Sequence, residues 1–217
     1  MRRILTLLLC LGLTTSVTAQ EADSARCGQS HAFTWSQTVA PATLFASGSL
    51  IAFTPLHNSI DAPLHTWSQQ DGHTRFEIEN YVQYAPHASV FLLKACGLES
   101  QHRWRDLVCL EGGASLLGFV LITGIKYTIR EERPYPGVYN SFPSGHTATA
   151  FLGAEILRRE YGEEYPAVAI AGYTVATGVG LMRIYNNRHW PCDVLAGAGI
   201  GILSASIMYW LSPYLRF

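Results

Sequence analysis

Charge is scarce in this sequence. Asp, Glu, Lys and Arg make up 14% of its 217 residues, against about a quarter in ordinary soluble domains. The formal net charge is -1, so no basic surplus points to nucleic acid. It contains no low-complexity tract and no internal repeat, which excludes solenoids and arrays. Cysteine is scarce: the five residues form no C-x-x-C pairs of the kind that build zinc ribbons or fingers. The length suits one domain and is too short for two large ones.

What the chain has instead is apolar length, with 48% hydrophobic residues. The first 19 residues read as a signal peptide: Arg2 and Arg3, an apolar core over 4–13, then Val17-Thr18-Ala19 before Gln20. Cys10 leaves with that segment. Cys96 and Cys109 sit in apolar stretches, where a free cysteine behaves as a small hydrophobe. Cys27 and Cys192 would both face an oxidising compartment, and sequence alone does not fix whether they pair.

Residues 20–80 read as an exported N-terminal region. Within it, 38–56 is apolar but interrupted by Pro41, Gly48 and Pro55. Residues 81–217 read as a helical membrane core, with a weaker apolar segment at 81–98 and stronger ones at 107–125, 146–157, 165–182 and 194–211. The segments 165–182 and 194–211 carry no charge, and 107–125 carries only Glu111. A run of about 18 or more apolar residues is long enough to span a bilayer. Gly172, Gly178 and Gly180, and Gly197, Gly199 and Gly201, allow helix backbones to approach closely. The expectation is an all-α transmembrane bundle. Arg103, Arg105, Arg158, Arg159 and Arg216 mark the cytoplasmic side. That puts 126–145 and 183–193 together on the exported side. With a cleaved signal, only one of 38–56 and 81–98 spans, and 38–56 is expected at the interface or part-way in.

Those two exported connections hold nearly all the notable polar residues of the C-terminal half. Lys126, Arg133 and Arg183 lie at or just beyond the ends of apolar segments. A tetrahedral dianion needs several charge-assisted donors, and arginine supplies a planar fork. A single basic residue there would more simply snorkel, as Arg130 is expected to do. Ser144 suits the N-cap of the following helix, whose free amides bind phosphate oxygens. Gly145 lets an oxyanion approach the backbone, and His146 stands beside it as a general acid. His189 and Asp193 are four apart, so on a helix a carboxylate would orient an imidazole and free its other nitrogen to attack. The same spacing can hold a metal, but no third ligand sits at metal spacing nearby and the surrounding cations oppose one.

Together these residues resemble the type 2 phosphatidic acid phosphatase family, whose pattern is K-x6-R-P, then P-S-G-H, then S-R-x5-H-x3-D. Lys126, Arg133 and Pro134 match the first block; Pro143, Ser144, Gly145 and His146 the second; Arg183, His189 and Asp193 the third. Met182 stands where the pattern has serine. The resemblance implies His189 as nucleophile, Asp193 as its orienting partner and His146 as the acid that protonates the leaving group. Lys126, Arg133, Arg183, Ser144 and Gly145 would hold the phosphoryl oxygens. It implies no metal or cofactor.

The run Tyr81–Pro86 and the stretch Asn186–Trp190 resemble a bacterial branch acting on lipid A or undecaprenyl diphosphate. The expected protein is thus a bacterial inner-membrane lipid phosphatase with its site facing the periplasm and a phosphorylated lipid, lipid A first, as substrate. Alternatives are a phosphatidylglycerophosphate phosphatase, a broad-specificity exported acid phosphatase, a vanadate-dependent haloperoxidase and a phosphotransferase between lipids.

Overall fold

The computed structural model describes residues 35–68 and 77–215, and every regular element among them is helical. The expected signal peptide and Cys27 lie outside the described residues. In chain order the helices are α1 (Trp35–Ala52), α2 (Ala62–Ser68), α3 (Glu79–Val82), α4 (Ala85–Ala95), α5 (Trp104–Ile129), α6 (Gly145–Tyr161), α7 (Pro166–Tyr185) and α8 (Pro191–Leu215). A π-helical turn, His57–Asp61, joins α1 to α2. Prolines open α4, α7 and α8, where a missing N–H costs nothing. Arg130 ends α5 in the left-handed region, with φ 54°.

Among the described residues, three helices are long and apolar enough to cross a membrane: Trp104–Ile129, Pro166–Tyr185 and Pro191–Leu215. They contain the segments expected at 107–125 and 194–211, and all of 165–182 except Tyr165, which caps the helix. Leu116, Phe119 and Val120 on α5 and Ile170 and Leu181 on α7 are large apolar residues left exposed, as suits a hydrocarbon surround. The segment 81–98 divides into α3 and α4, with the break at Gln83 and Tyr84.

The helix α6 is different. It has 17 residues and carries Glu155, Arg158, Arg159 and Glu160 in its second half, yet it lies at the centre, packed against α4, α5, α7 and α8. Its charges are paired. Glu155 accepts two hydrogen bonds from Arg158 (2.7 Å each), one from Arg159 (2.7 Å) and one from the Tyr173 hydroxyl (2.6 Å). Glu160 takes the His102 backbone N–H and the Tyr209 hydroxyl. A buried charge without such partners would cost several kcal/mol. Beside these pairs, Leu107 and Leu110 of α5, Leu152 and Ile156 of α6 and Tyr209 of α8 form one buried hydrophobic cluster.

The helical body is not confined to 81–217, because α1 runs the length of α8. Near its start Gln37 meets Arg159 (3.2 Å), which also meets Ser206. Near its end Gly48 lies so close to α8 that an added Cβ would sit 2.6 Å from the Cys192 carbonyl oxygen. The segment expected at the surface or part-way in is thus a helix beside α8, and a 93° bend then turns the chain into the residues from His57 onward.

Small residues permit this packing. On α8, Gly199 faces α1 and Gly197 faces α6, where an added Cβ would lie 2.5 Å from the Ser144 carbonyl oxygen. The glycine strip therefore packs within the chain. Gly178 on α7 has nothing within 4 Å. Gly197→Val is expected to cost about 1–3 kcal/mol through overpacking, a drop in Tm of roughly 2–12 °C in detergent. Gly178→Ala should shift Tm by no more than roughly 2 °C. Equal shifts for the two variants would refute this packing.

Candidate active site

One end of the bundle gathers the C-terminal ends of α5 and α7 and the N-terminal ends of α6 and α8. The joint between them is Asp193, fully buried in the first turn of α8. Its Oδ2 accepts hydrogen bonds from the Ser141 hydroxyl (2.5 Å), the Trp190 backbone N–H (2.9 Å) and His189 Nδ1 (3.2 Å). Its backbone carbonyl accepts from the Ser144 N–H at 3.0 Å. With Nδ1–H donated to a carboxylate, Nε2 of His189 keeps its lone pair. Burial drives the His189 imidazole down to about 3; Asp193 opposes the drop, while Lys126 and Arg183 add to it. The ring is therefore neutral at neutral pH, the state a nucleophile needs.

The turn that carries His189 is tied back to α7. The backbone N–H groups of Arg188 and His189 both reach the Arg183 carbonyl, at 2.9 and 3.3 Å. Asn187 takes the left-handed conformation, φ 58°, which asparagine tolerates. Arg183 is buried, and its Nη1 donates to Glu79 Oε1 at 3.2 Å, while its buried Nε has no protein partner. Lys126 reaches the carbonyls of Asn140 and Ser141. Arg133 donates Nε–H to Asn140 Oδ1 (2.7 Å) and lies over the Tyr135 ring. Burial first, and then the charges of Arg183, Arg133, Lys126 and Arg188, lower the His146 pKa to about 4; a phosphate dianion among those cations would offset their effect and favour the protonated ring. The residues expected to form one site are thus brought to one place.

Ser144 departs from its expected detail. It occupies the N-cap position of α6, but its hydroxyl pairs with the Thr147 hydroxyl at 2.9 Å and caps no amide. The first-turn amides of α6 are left uncapped by any side chain, which suits an anion site. Gly145 has room in front of it, since an added Cβ would meet only Ile122 at 3.7 Å. Met182 contributes its backbone carbonyl to the Asn186 N–H, 2.8 Å.

Several residues of the site were not singled out from sequence. Asn80 Oδ1 is 2.9 Å from His146 Nε2 and so holds the expected acid. Glu79, fully buried, holds Arg183 and also accepts from Asn186 at 2.8 Å. Both lie immediately before the quoted Tyr81–Pro86 run, but their partners are over a hundred residues away for Glu79 and 66 for Asn80. Glu131 lies against Asp193. Burial first, and then the Asp193 carboxylate, push its pKa up.

A cavity of about 600 Å³ leads from Gly145 and His146 along the bundle. Residues 111, 115, 118, 119 and 122 of α5 line it on one helical face, together with Tyr84 just before α4, His87 of α4 and Leu152 of α6. Its walls are mainly apolar. At its depth His87 pairs with Glu111 and reaches the Thr149 carbonyl at 2.9 Å.

The PAP2 superfamily sequence model matches residues 108–217, half of the chain, and all three blocks lie inside it. The chain belongs to the PAP2 superfamily. Among curated relatives, a lipid A 1-phosphatase of Porphyromonas gingivalis is 40% identical over 142 residues, 64% of this chain and 31% of that protein. The bacitracin transport permease protein BcrC of Bacillus licheniformis is 40% identical over 102 residues, 46% of this chain and 44% of that protein. The matched region thus spans less than half the length of either relative. Two solved structures share the fold. Aquifex aeolicus LpxE has a TM-score of 0.54 at 24% identity, with 73% of this chain and 97% of that one covered. A transmembrane PAP2 type phosphatidylglycerolphosphate phosphatase from Bacillus subtilis has a TM-score of 0.53 at 22% identity, with 82% and 98% covered. In this PAP2 chain the His189 ring is expected to remain neutral at pH 5, where an ordinary imidazole with a pKa near 6.5 is mostly protonated. Nitrogen-15 shifts of the labelled protein, with His189→Gln to assign the signal, read this directly; imidazolium shifts at pH 5 would contradict it.

Proposed function

We propose that the chain is a membrane-bound lipid phosphatase that works through a phosphohistidine on His189, with a phosphate of lipid A as the substrate. The observation that carries this is the neutral, Asp193-held His189 set among Lys126, Arg133 and Arg183. Nε2 of His189 attacks phosphorus as the bond to the leaving oxygen breaks, and His146 gives that oxygen its proton. Water then attacks the phosphohistidine, losing a proton to His146, and inorganic phosphate leaves with His189 restored. Lys126, Arg133, Arg183 and the first amides of α6, beside Ser144 and Gly145, hold the phosphoryl oxygens through both steps. Each step has a side chain to serve it, so the proposal calls for no metal or cofactor in the phosphate pocket.

The cavity favours a lipid over a small soluble ester, because an apolar groove beginning at the acid suits the tail of an amphiphile. The lipid A reading rests on the Porphyromonas relative. The setting proposed is a bacterial inner membrane with the site on the periplasmic face. Arg103 and Arg105 at the start of α5 and Arg158 near the end of α6 lie at the opposite end of the bundle, which the positive-inside bias assigns to the cytoplasm.

Purified protein offered lipid A, undecaprenyl diphosphate, phosphatidylglycerophosphate and a soluble aryl phosphate in parallel tests the reading. Lipid A should be turned over with the highest kcat/KM, and His189→Ala should reduce it to below about a thousandth. Preference for another lipid would move the substrate; even turnover of everything would favour a broad acid phosphatase; activity within tenfold of the parent in His189→Ala would remove the nucleophile.

Asn80→Leu should lower kcat roughly 10- to 100-fold by releasing His146. The loss should be larger for an alkyl phosphate than for a nitrophenyl ester, whose leaving group needs no proton. Equal losses on both esters would mean that Asn80 is only structural.

A further inference from the structure

The oxygen of Asp193 that His189 does not use faces a second group of side chains. Cys192 Sγ lies 3.9 Å from Asp193 Oδ1. A ring nitrogen of His57, a carboxylate oxygen of Glu131 and Cys192 Sγ all fall within 4.8 Å of one another. These residues come from three distant parts of the chain: the π turn after α1, the connection after α5 and the second residue of α8. Ligands around a tetrahedral zinc ion, at bonds of about 2.0–2.3 Å, are roughly 3.3–3.8 Å apart. The three atoms are therefore about an ångström from closing on one ion.

The surroundings are those of a metal site. Asp61, fully buried, holds His57 Nδ1 at 3.0 Å through one oxygen and the Cys192 backbone N–H at 3.2 Å through the other. A carboxylate on one nitrogen of an imidazole is the usual device for orienting its other nitrogen toward a metal. Cys192 is fully buried and free of any disulfide to a described cysteine. Glu131 has a buried oxygen, Oε2, with no protein partner. Asp61, Glu131 and Asp193 crowd one thiol, and a divalent cation would balance the thiolate and the Glu131 carboxylate. The π turn that presents His57 is a rare geometry that recurs at functional sites.

We propose that His57, Glu131 and Cys192 bind one structural divalent ion of the zinc class, with water in the fourth position. Thiolate, imidazole and carboxylate together select zinc over magnesium or calcium. Binding releases the thiol proton, and the Glu131 proton where that carboxyl holds one, to solvent. The ion clasps the turn after α1 to the start of α8. The ion sits behind Asp193, on the side of the carboxylate oxygen that His189 does not use, and the proposal does not depend on which lipid is hydrolysed.

The test is elemental analysis and cobalt substitution of tag-free, full-length protein, loaded with the metal ion alone. About one zinc per chain is expected in the parent, and less than about a fifth of that in Cys192→Ser and Glu131→Gln. Cobalt-loaded parent should show a thiolate-to-cobalt charge-transfer band that Cys192→Ser lacks, and stripping the ion should lower Tm. Glu131→Gln is nearly isosteric and guards against loss of the fold in Cys192→Ser. Parent protein without stoichiometric metal, metal content unchanged in both variants, or a Cys192 thiol that can be alkylated only after reduction would each overturn the proposal.

Discussion

The arrangement hangs on a single carboxylate. Asp193 takes hydrogen bonds from Ser141, Trp190 and His189 through one oxygen, and its backbone carbonyl takes the Ser144 amide. It thereby fixes the last residues before α6, the turn after α7 and the first turn of α8 in one register. A fully buried carboxylate is tolerable only when its lone pairs are used. The same bonds that make Asp193 affordable in energy also set the tautomer of His189, the proposed nucleophile. Structural and chemical requirements coincide at this residue, so the second cannot be altered without the first.

A second constraint is the charged half of α6. Glu155, Arg158, Arg159 and Glu160 could not face hydrocarbon, and the other helices close around them. Tyr173 of α7, Ser206 and Tyr209 of α8, His102 before α5 and Gln37 of α1 each supply a partner. Glycines on α8 and α1 let the backbones of α1, α6 and α8 lie close together. Polar pairing at one end and the catalytic joint at the other fix α6 along its length.

Much of this was legible in the sequence. The blocks around Lys126, His146 and His189 carried their chemistry in residue type and spacing, and the long apolar runs became α5, α7 and α8. Other features were not legible for identifiable reasons. Glu79 and Asn80 matter because α3 delivers them to Arg183 and His146, and no local spacing encodes a partner so distant. Ser144 sits at the cap as its type suggests, but the nearby Thr147 hydroxyl competes for its oxygen. The residues over 38–56 were expected at the interface or part-way into the membrane because Pro and Gly interrupt them; Gly48 among them lets α1 press against α8. Cys192 and Glu131 showed no metal spacing in sequence because their third companion, His57, lies on a turn made only by the bend after α1.

The groove beside α5 has a consequence for how substrate arrives. Its flank is edged by Phe119 and Tyr84, both exposed large aromatic residues, which suits an opening toward hydrocarbon. Under the proposed function, a lipid entering there would diffuse in the plane of one leaflet and meet His146 without leaving the bilayer. The quantity that governs such an encounter is the mole fraction of substrate in that leaflet, not its concentration in the surrounding water. Diluting the leaflet with inert lipid slows an encounter of this kind even when the total amount of substrate is unchanged.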